Sequence, residues 1–198
     1  HLEAFRAAWE GDDRVVIPRP MSQLSSARVL TMERLAGRTI AEVARLGEAE
    51  RAQVATTLLR FAWITPLRHR LLNADPNPGN YLVLDATAGR VGFLDFGCAE
   101  AVEPALVEAD RDLWMAMVHR DGEELRHAVY RQGLLADATV LDSSTFRSWE
   151  EKLAAPFLDR GEHRLEPAAV RDLARLTSQL VRSRGMAMPA GALLLWRQ

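Results

Sequence analysis

The sequence predicts an α+β fold that is mainly helical, with one small β-hairpin set against the helices, and three observations carry that expectation. Apolar residues recur at intervals of three and four over most of the chain, which is the spacing of one helix face. That period stops at Asn73-Ala74-Asp75-Pro76-Asn77-Pro78-Gly79-Asn80, where two prolines and a glycine exclude both helix and central strand. Directly after it, two short apolar runs flank a glycine-containing turn, the pattern of a hairpin.

The elements follow in order. A short amphipathic helix opens the chain. Arg14-Val15-Val16-Ile17-Pro18 is β-branched and closed by proline, and Arg28-Val29-Leu30-Thr31-Met32-Glu33 is a second such run beyond a polar turn, so two short strands are expected. Gly37 breaks the pattern before Thr39, which is placed to cap a short helix ending at Leu46. From Glu48 to Arg70, Val54, Leu58, Phe61 and Ile64 recur at helical spacing, and the expectation is one long helix perturbed at Pro66. The hairpin comprises Tyr81–Leu84, a turn over 85–90 that holds Gly89, and Val91–Leu94. Beyond Pro104 every strong pattern is helical: Leu106–His119, Gly122–Gln132, Phe146–Leu158, Glu166–Arg184 and a start near Pro189.

A chain of 198 residues can bury one sizeable core but not two independent ones, so one compact unit over 1–198 is expected. No apolar run approaches the roughly 20 residues that a membrane helix needs. A formal charge of -2 argues against a nucleic-acid partner held through phosphates. The single cysteine, Cys98, excludes an internal disulfide and fits a reducing compartment, with the cytoplasm as the expected location. His1-Leu2-Glu3-Ala4-Phe5 begins inside an amphipathic pattern, and Leu193–Gln198 stops within an apolar run. Both ends are expected to be cuts from something longer.

The chemistry is concentrated in the loop and the hairpin. Phosphoryl transfer needs a carboxylate to orient the attacking hydroxyl or take its proton, and oxygen ligands to hold Mg²⁺ against nucleotide phosphates. Asp75 and Asn80 lie five positions apart across a proline-stiffened loop, the Asp-to-Asn offset of a kinase catalytic loop. Fifteen residues later, Asp95-Phe96-Gly97 ends the second hairpin strand, where a carboxylate reaches metal and the glycine lets the backbone turn. Each part alone is a weak signal; the order of loop, strand, turn, strand and Asp-Phe-Gly is a strong one.

These residues carry a resemblance. Ala74-Asp75-Pro76-Asn77-Pro78-Gly79-Asn80 resembles the ADPHPGN signature of the UbiB/AarF atypical kinases, the family tied to ubiquinone biosynthesis that includes the ADCK-type proteins. Leu94-Asp95-Phe96-Gly97-Cys98 is similar to its DFG segment, and Val29–Gly37 resembles its VLxMExxxG stretch. The resemblance implies a protein-kinase-like C-terminal lobe, with 1–36 as the end of the N-terminal lobe and hinge and 37–198 as the C-lobe. It implies ATP and Mg²⁺ as ligands, Asp75 as catalytic base or orienter, Asn80 and Asp95 as metal ligands, and Phe96 and Gly97 beside the nucleotide. Met32, Glu33 and Arg34 would form the hinge against adenine. Asn73 and Asn77 stand where the family commonly carries histidine, so the role of those histidines is expected to be absent.

The family's alanine-rich loop, KxGQ segment, phosphate-pairing lysine and helical glutamate have no counterpart in this chain. His1–Trp9 resembles only the tail of that lobe's helix, and Glu3 is not cast as the ion-pair glutamate. The fragment itself is therefore expected to bind nucleotide poorly and to be inactive, and the parent to act as an ATPase or as a kinase on a lipid or quinone-precursor substrate, with peripheral membrane contact. Rival readings are a pseudokinase or lipid-binding scaffold and an aminoglycoside-phosphotransferase-like small-molecule kinase.

Other residues are read as structural. His69, His119, His127 and His163 share no metal-ligand spacing with acids. Cys98 reads as a small buried hydrophobe, and Trp114, Met115, Met117 and Val118 as core. Glu100 and Glu103 read as solvated charges, and Arg171, Arg175, Arg182 and Arg184 as the solvated face of an amphipathic helix.

Overall fold

Leu2–Ala8 form helix α1, whose Leu2 and Phe5 turn inward together with Trp9 just beyond it. In the computed structural model, which describes residues 1–119, 121–134, 144–158 and 166–183, this helix begins the first of two compact units, His1–Glu103. His163, Arg184 and the helix start near Pro189 lie outside the described residues.

Strand β1 is Val15–Val16, shorter than the expected run because Pro18 and Pro20 follow with no N–H to donate. The second expected strand, Arg28–Glu33, does not form. Isolated bridges join Ser26 to Val29 and Pro20 to Met32, and a 3₁₀ turn over Ser22–Leu24 intervenes. The Ser25 hydroxyl diverts the chain there, donating to Met21 O at 2.9 Å and accepting from Thr31 N at 2.9 Å. Side-chain hydrogen bonds thus take the place of a strand ladder.

Thr39 caps helix α2 (Ile40–Val43) as expected, in a reciprocal box with Glu42. Helix α3, Glu48–His69, runs unbroken through the buried Pro66 and ends where Arg70 turns left-handed at φ 54°. Its buried stripe, Val54, Thr57, Phe61 and Thr65, keeps the spacing of one helical face. The Phe61 ring stacks on Phe93 with centroids 3.8 Å apart, and Trp9 stacks on Phe61 at 5.8 Å.

Strands β2 (Leu71–Asn73), β3 (Tyr81–Asp85), β4 (Arg90–Phe93) and β5 (Ala99–Ala101) build two small sheets. β3 and β4 are the expected antiparallel hairpin, and β1 adds to β4 in parallel, giving the order β1-β4-β3. Its turn is pinned to α3: the Thr57 hydroxyl donates to Gly89 O at 2.7 Å. Gly89 has φ 65°, and a Cβ there would meet Gln53 O at 2.7 Å, so only glycine fits. β2 and β5 pair antiparallel, Asn73 opposite Ala99, and thereby close the loop between them into one structure.

The second unit starts at Pro104. Helices α4 (Pro104–His119), α5 (Gly122–Arg131), α6 (Ser144–Leu158) and α7 (Pro167–Arg182) match the expected helical stretches. α4 packs on α5 and α6, and α6 on α7. Leu113, Met117, Leu125, Val129, Phe146, Trp149, Leu176 and Leu180 are buried. Two expected core residues are not: Met115 and Val118 are exposed, because the turn of α4 that buries Leu113 and Met117 directs them outward.

Candidate active site

Every candidate site residue falls within the first unit. Asn80 closes a 3₁₀ turn over Pro78–Asn80, whose start is capped by the Asn77 side chain accepting from Gly79 N at 2.9 Å. The Asn80 carbonyl then accepts from Leu94 N at 2.9 Å, which ties the end of the loop to the residue before Asp95. Two fixed prolines and these bonds hold the loop rigid.

Asp75 and Asn80 meet directly: Asn80 Nδ2 donates to Asp75 Oδ2 at 3.1 Å. The same nitrogen also donates to Asp75 O at 3.5 Å, so the amide's donor end is turned to Asp75 and Oδ1 is its remaining acceptor. Asp95 is exposed, and its Oδ1 accepts from Gly97 N at 2.8 Å, leaving the other carboxylate oxygen free for a cation. A carboxylate and an amide oxygen are hard donors of the kind Mg²⁺ takes, and they fit that ion.

Met32, Asn80, Leu94, Asp95, Phe96 and Gly97 line one cavity of about 900 Å³. Glu33 and Arg34 do not line it. Both are exposed, and the Glu33 N–H is committed to Arg19 O at 2.8 Å, so of the three expected hinge residues only Met32 reaches the cavity. Glu3 and His1 line it as well, and His1 Nδ1 lies 3.1 Å from Phe96 O. Phe96 is buried, tilted against Phe5 with centroids 4.5 Å apart, and so anchors the Asp95 segment to α1.

Three residues near the site were given no part in it by the sequence. Asn73 is 4% exposed and joins the Asp75 loop to the Asp95 segment through both ends of its amide. Tyr81, next to Asn80, rests on Phe93 at 5.3 Å between ring centroids. Burial pushes its phenol above the ordinary tyrosine range, and the nearby Asp75 charge adds to that. Cys98, expected to be buried, is exposed, since it sits in the turn before β5 and the following Ala99 takes the inward position. Glu100 and Glu103 are exposed, as expected of solvated charges.

A proline-stiffened Asp/Asn loop, a hairpin ending in Asp-Phe-Gly and a following run of helices define a kinase-like fold. The model of the ABC1 atypical kinase-like domain matches residues 1–129. The chain belongs to that family, the UbiB/AarF group of the resemblance.

Among relatives, the Arabidopsis thaliana protein named ACTIVITY OF BC1 COMPLEX KINASE 8, chloroplastic, is 26% identical over 168 residues, covering 81% of this chain and 22% of that protein. The Rattus norvegicus atypical kinase COQ8B, mitochondrial, is 29% identical over 121 residues, covering 56% of this chain and 23% of the relative. The chain thus spans about a quarter of the length of such relatives. A solved Mycobacterium tuberculosis structure, described as the complex of Rv3197 with erythromycin, shares the fold at a TM-score of 0.60 and 20% identity, covering 98% of this chain and 54% of that one. Among the described residues, no helix is long and apolar enough to cross a membrane.

Proposed function

We propose that this chain carries the catalytic loop and metal-binding segment of an ATP- and Mg²⁺-dependent phosphotransferase or ATPase, whose parent acts in ubiquinone or lipid metabolism. One observation supports this above the others. Asn80, bonded to Asp75, lines the same 900 Å³ cavity as Asp95, Phe96, Gly97 and Met32. Adenine would lie toward Met32 and the phosphates toward Asn80 and Asp95.

Asp75 is assigned as the base or orienting group. Its Oδ2 is held by the Asn80 amide, which leaves Oδ1 to face an acceptor hydroxyl or a water. In the reaction, the acceptor oxygen attacks the terminal phosphorus, its proton passes to Asp75, and the bond to the ADP oxygen breaks. Asn80 Oδ1 and the Asp95 carboxylate would hold Mg²⁺, which when bound neutralises phosphate charge. The link to ubiquinone or lipid rests on the family resemblance, and the acceptor class it favours is a lipid or quinone precursor.

Mg-ATP binding and phosphate release by the intact parent test this reading. Asp95→Ala should abolish Mg-dependent binding, and Asp75→Ala should lower turnover while sparing affinity. Failure of the wild-type parent to bind or turn over nucleotide would replace the enzyme with a scaffold that uses the fold to bind lipid.

A further inference from the structure

We infer that Asn73 is a positioning residue that sets the Asp75 loop and the Asp95 segment at a fixed separation, an inference that rests on the function proposed above. Asn73 Nδ2 donates to Asp95 O at 2.9 Å, and Asn73 Oδ1 accepts from Asp75 N at 3.3 Å. Its partners fix the amide's orientation, because a backbone carbonyl only accepts and a backbone N–H only donates. The side chain is 4% exposed, so neither bond has water as a ready substitute.

The rest of the strand pair supports the same register. Asn73 sits opposite Ala99 in β2–β5, and Ala74 N donates to Cys98 O at 3.0 Å. Those backbone bonds align the strands, whereas the Asn73 amide reaches past them to the two residues that bear the carboxylates. The position at which the resemblance expects a histidine is therefore filled by a group that both donates and accepts. An amide does so without titrating, so the brace keeps one charge state at every pH where the fold persists.

Substitution in the intact parent tests this. Asn73→Asp keeps the shape and the acceptor but sets a carboxylate oxygen against Asp95 O, and Asn73→Ala removes both bonds. Each should lower kcat by about 10- to 100-fold with KM changed less than about threefold, the range seen when groups that orient metal ligands are lost. Asn73→His should restore turnover, since neutral imidazole offers one donor and one acceptor.

Amide hydrogen exchange supplies a readout independent of nucleotide. In Asn73→Asp, residues 74–80 and 95–98 should exchange faster together while α3 keeps its protection. If turnover and exchange match wild type, or if every element loosens equally, the inference is overturned. A wild-type parent that binds no Mg-ATP would overturn the proposed function instead, and the exchange experiment would still decide the role of Asn73.

Discussion

Asn80 donates to Asp75 at 3.1 Å across a loop only five residues long, so the amide of one site residue fixes the carboxylate of the other. Asn80→Asp preserves size but replaces the donor with a second carboxylate, and like charges at that distance oppose joint ionisation. Turnover of the parent is expected to fall by about 10²- to 10⁴-fold, the usual worth of a positioned base, while Mg²⁺ binding, measured by calorimetry, is retained.

The Asp75 charge is also felt at Tyr81, whose phenol lies above its ordinary range through burial and that charge. The sequence holds two tyrosines, so Tyr130→Phe leaves Tyr81 as the single titrating phenol. In that background, Asp75→Asn should lower the Tyr81 midpoint in an ultraviolet pH titration. An unmoved midpoint would separate the two groups.

Asp12 predicts a pH dependence of stability. Burial pushes its carboxyl up, but the Arg60 guanidinium at 2.8 Å and the backbone N–H groups of Arg14 and Val15 outweigh that and hold it below the usual carboxylate value. A carboxyl that is more acidic when folded contributes stability above its unfolded pKa and loses it as pH falls through the folded one. Wild-type Tm should therefore decline in acid below about pH 4, with a shallower decline in Asp12→Asn.

Thr57→Val removes the 2.7 Å bond to Gly89 O and leaves that carbonyl facing a methyl group. The expected cost is about 1–3 kcal/mol by urea unfolding. Gly89→Ala should cost at least as much, because it adds a Cβ at positive φ and against Gln53 O.

Phe61→Ala would empty the centre of the aromatic stack formed with Phe93, Trp9 and Phe5. A loss of about 3–5 kcal/mol is expected. Hydrogen exchange at Val91 and Phe93 should report it, since the ring stacks on Phe93 of the central strand of the sheet.

Helices and hairpin were legible because their signals are local: a 3.6-residue period over Val54–Thr65, a capping box at Thr39 and Glu42, and a glycine turn between Tyr81 and Phe93. Strands β2 and β5 were not, since three residues each give too short a period, and the pairing of Asn73 with Ala99 spans 26 positions. The Arg28–Glu33 run carried strand-forming residues, yet Ser25 outcompeted the ladder for the Thr31 N–H. At the site, the order of Asp75, Asn80 and Asp95 along the chain is the legible signal, and the fold bonds Asn80 to Asp75 and puts Asn80 and Asp95 on one cavity. Asn73 is legible only as a departure from the family's histidine, because its bond to Asp95 O spans 22 positions and an isolated asparagine gives no sign of such a partner. Cys98 was misjudged for a similar reason, as side-chain direction in a turn follows dihedral angles rather than hydrophobicity.

The exposed thiol of Cys98 is one residue past Gly97 and is the sole cysteine of the sequence. A maleimide fluorophore or spin label would therefore attach at one known point without prior mutagenesis. Its emission or mobility would follow the backbone that carries Asp95 in real time, as Mg²⁺ is added to this chain.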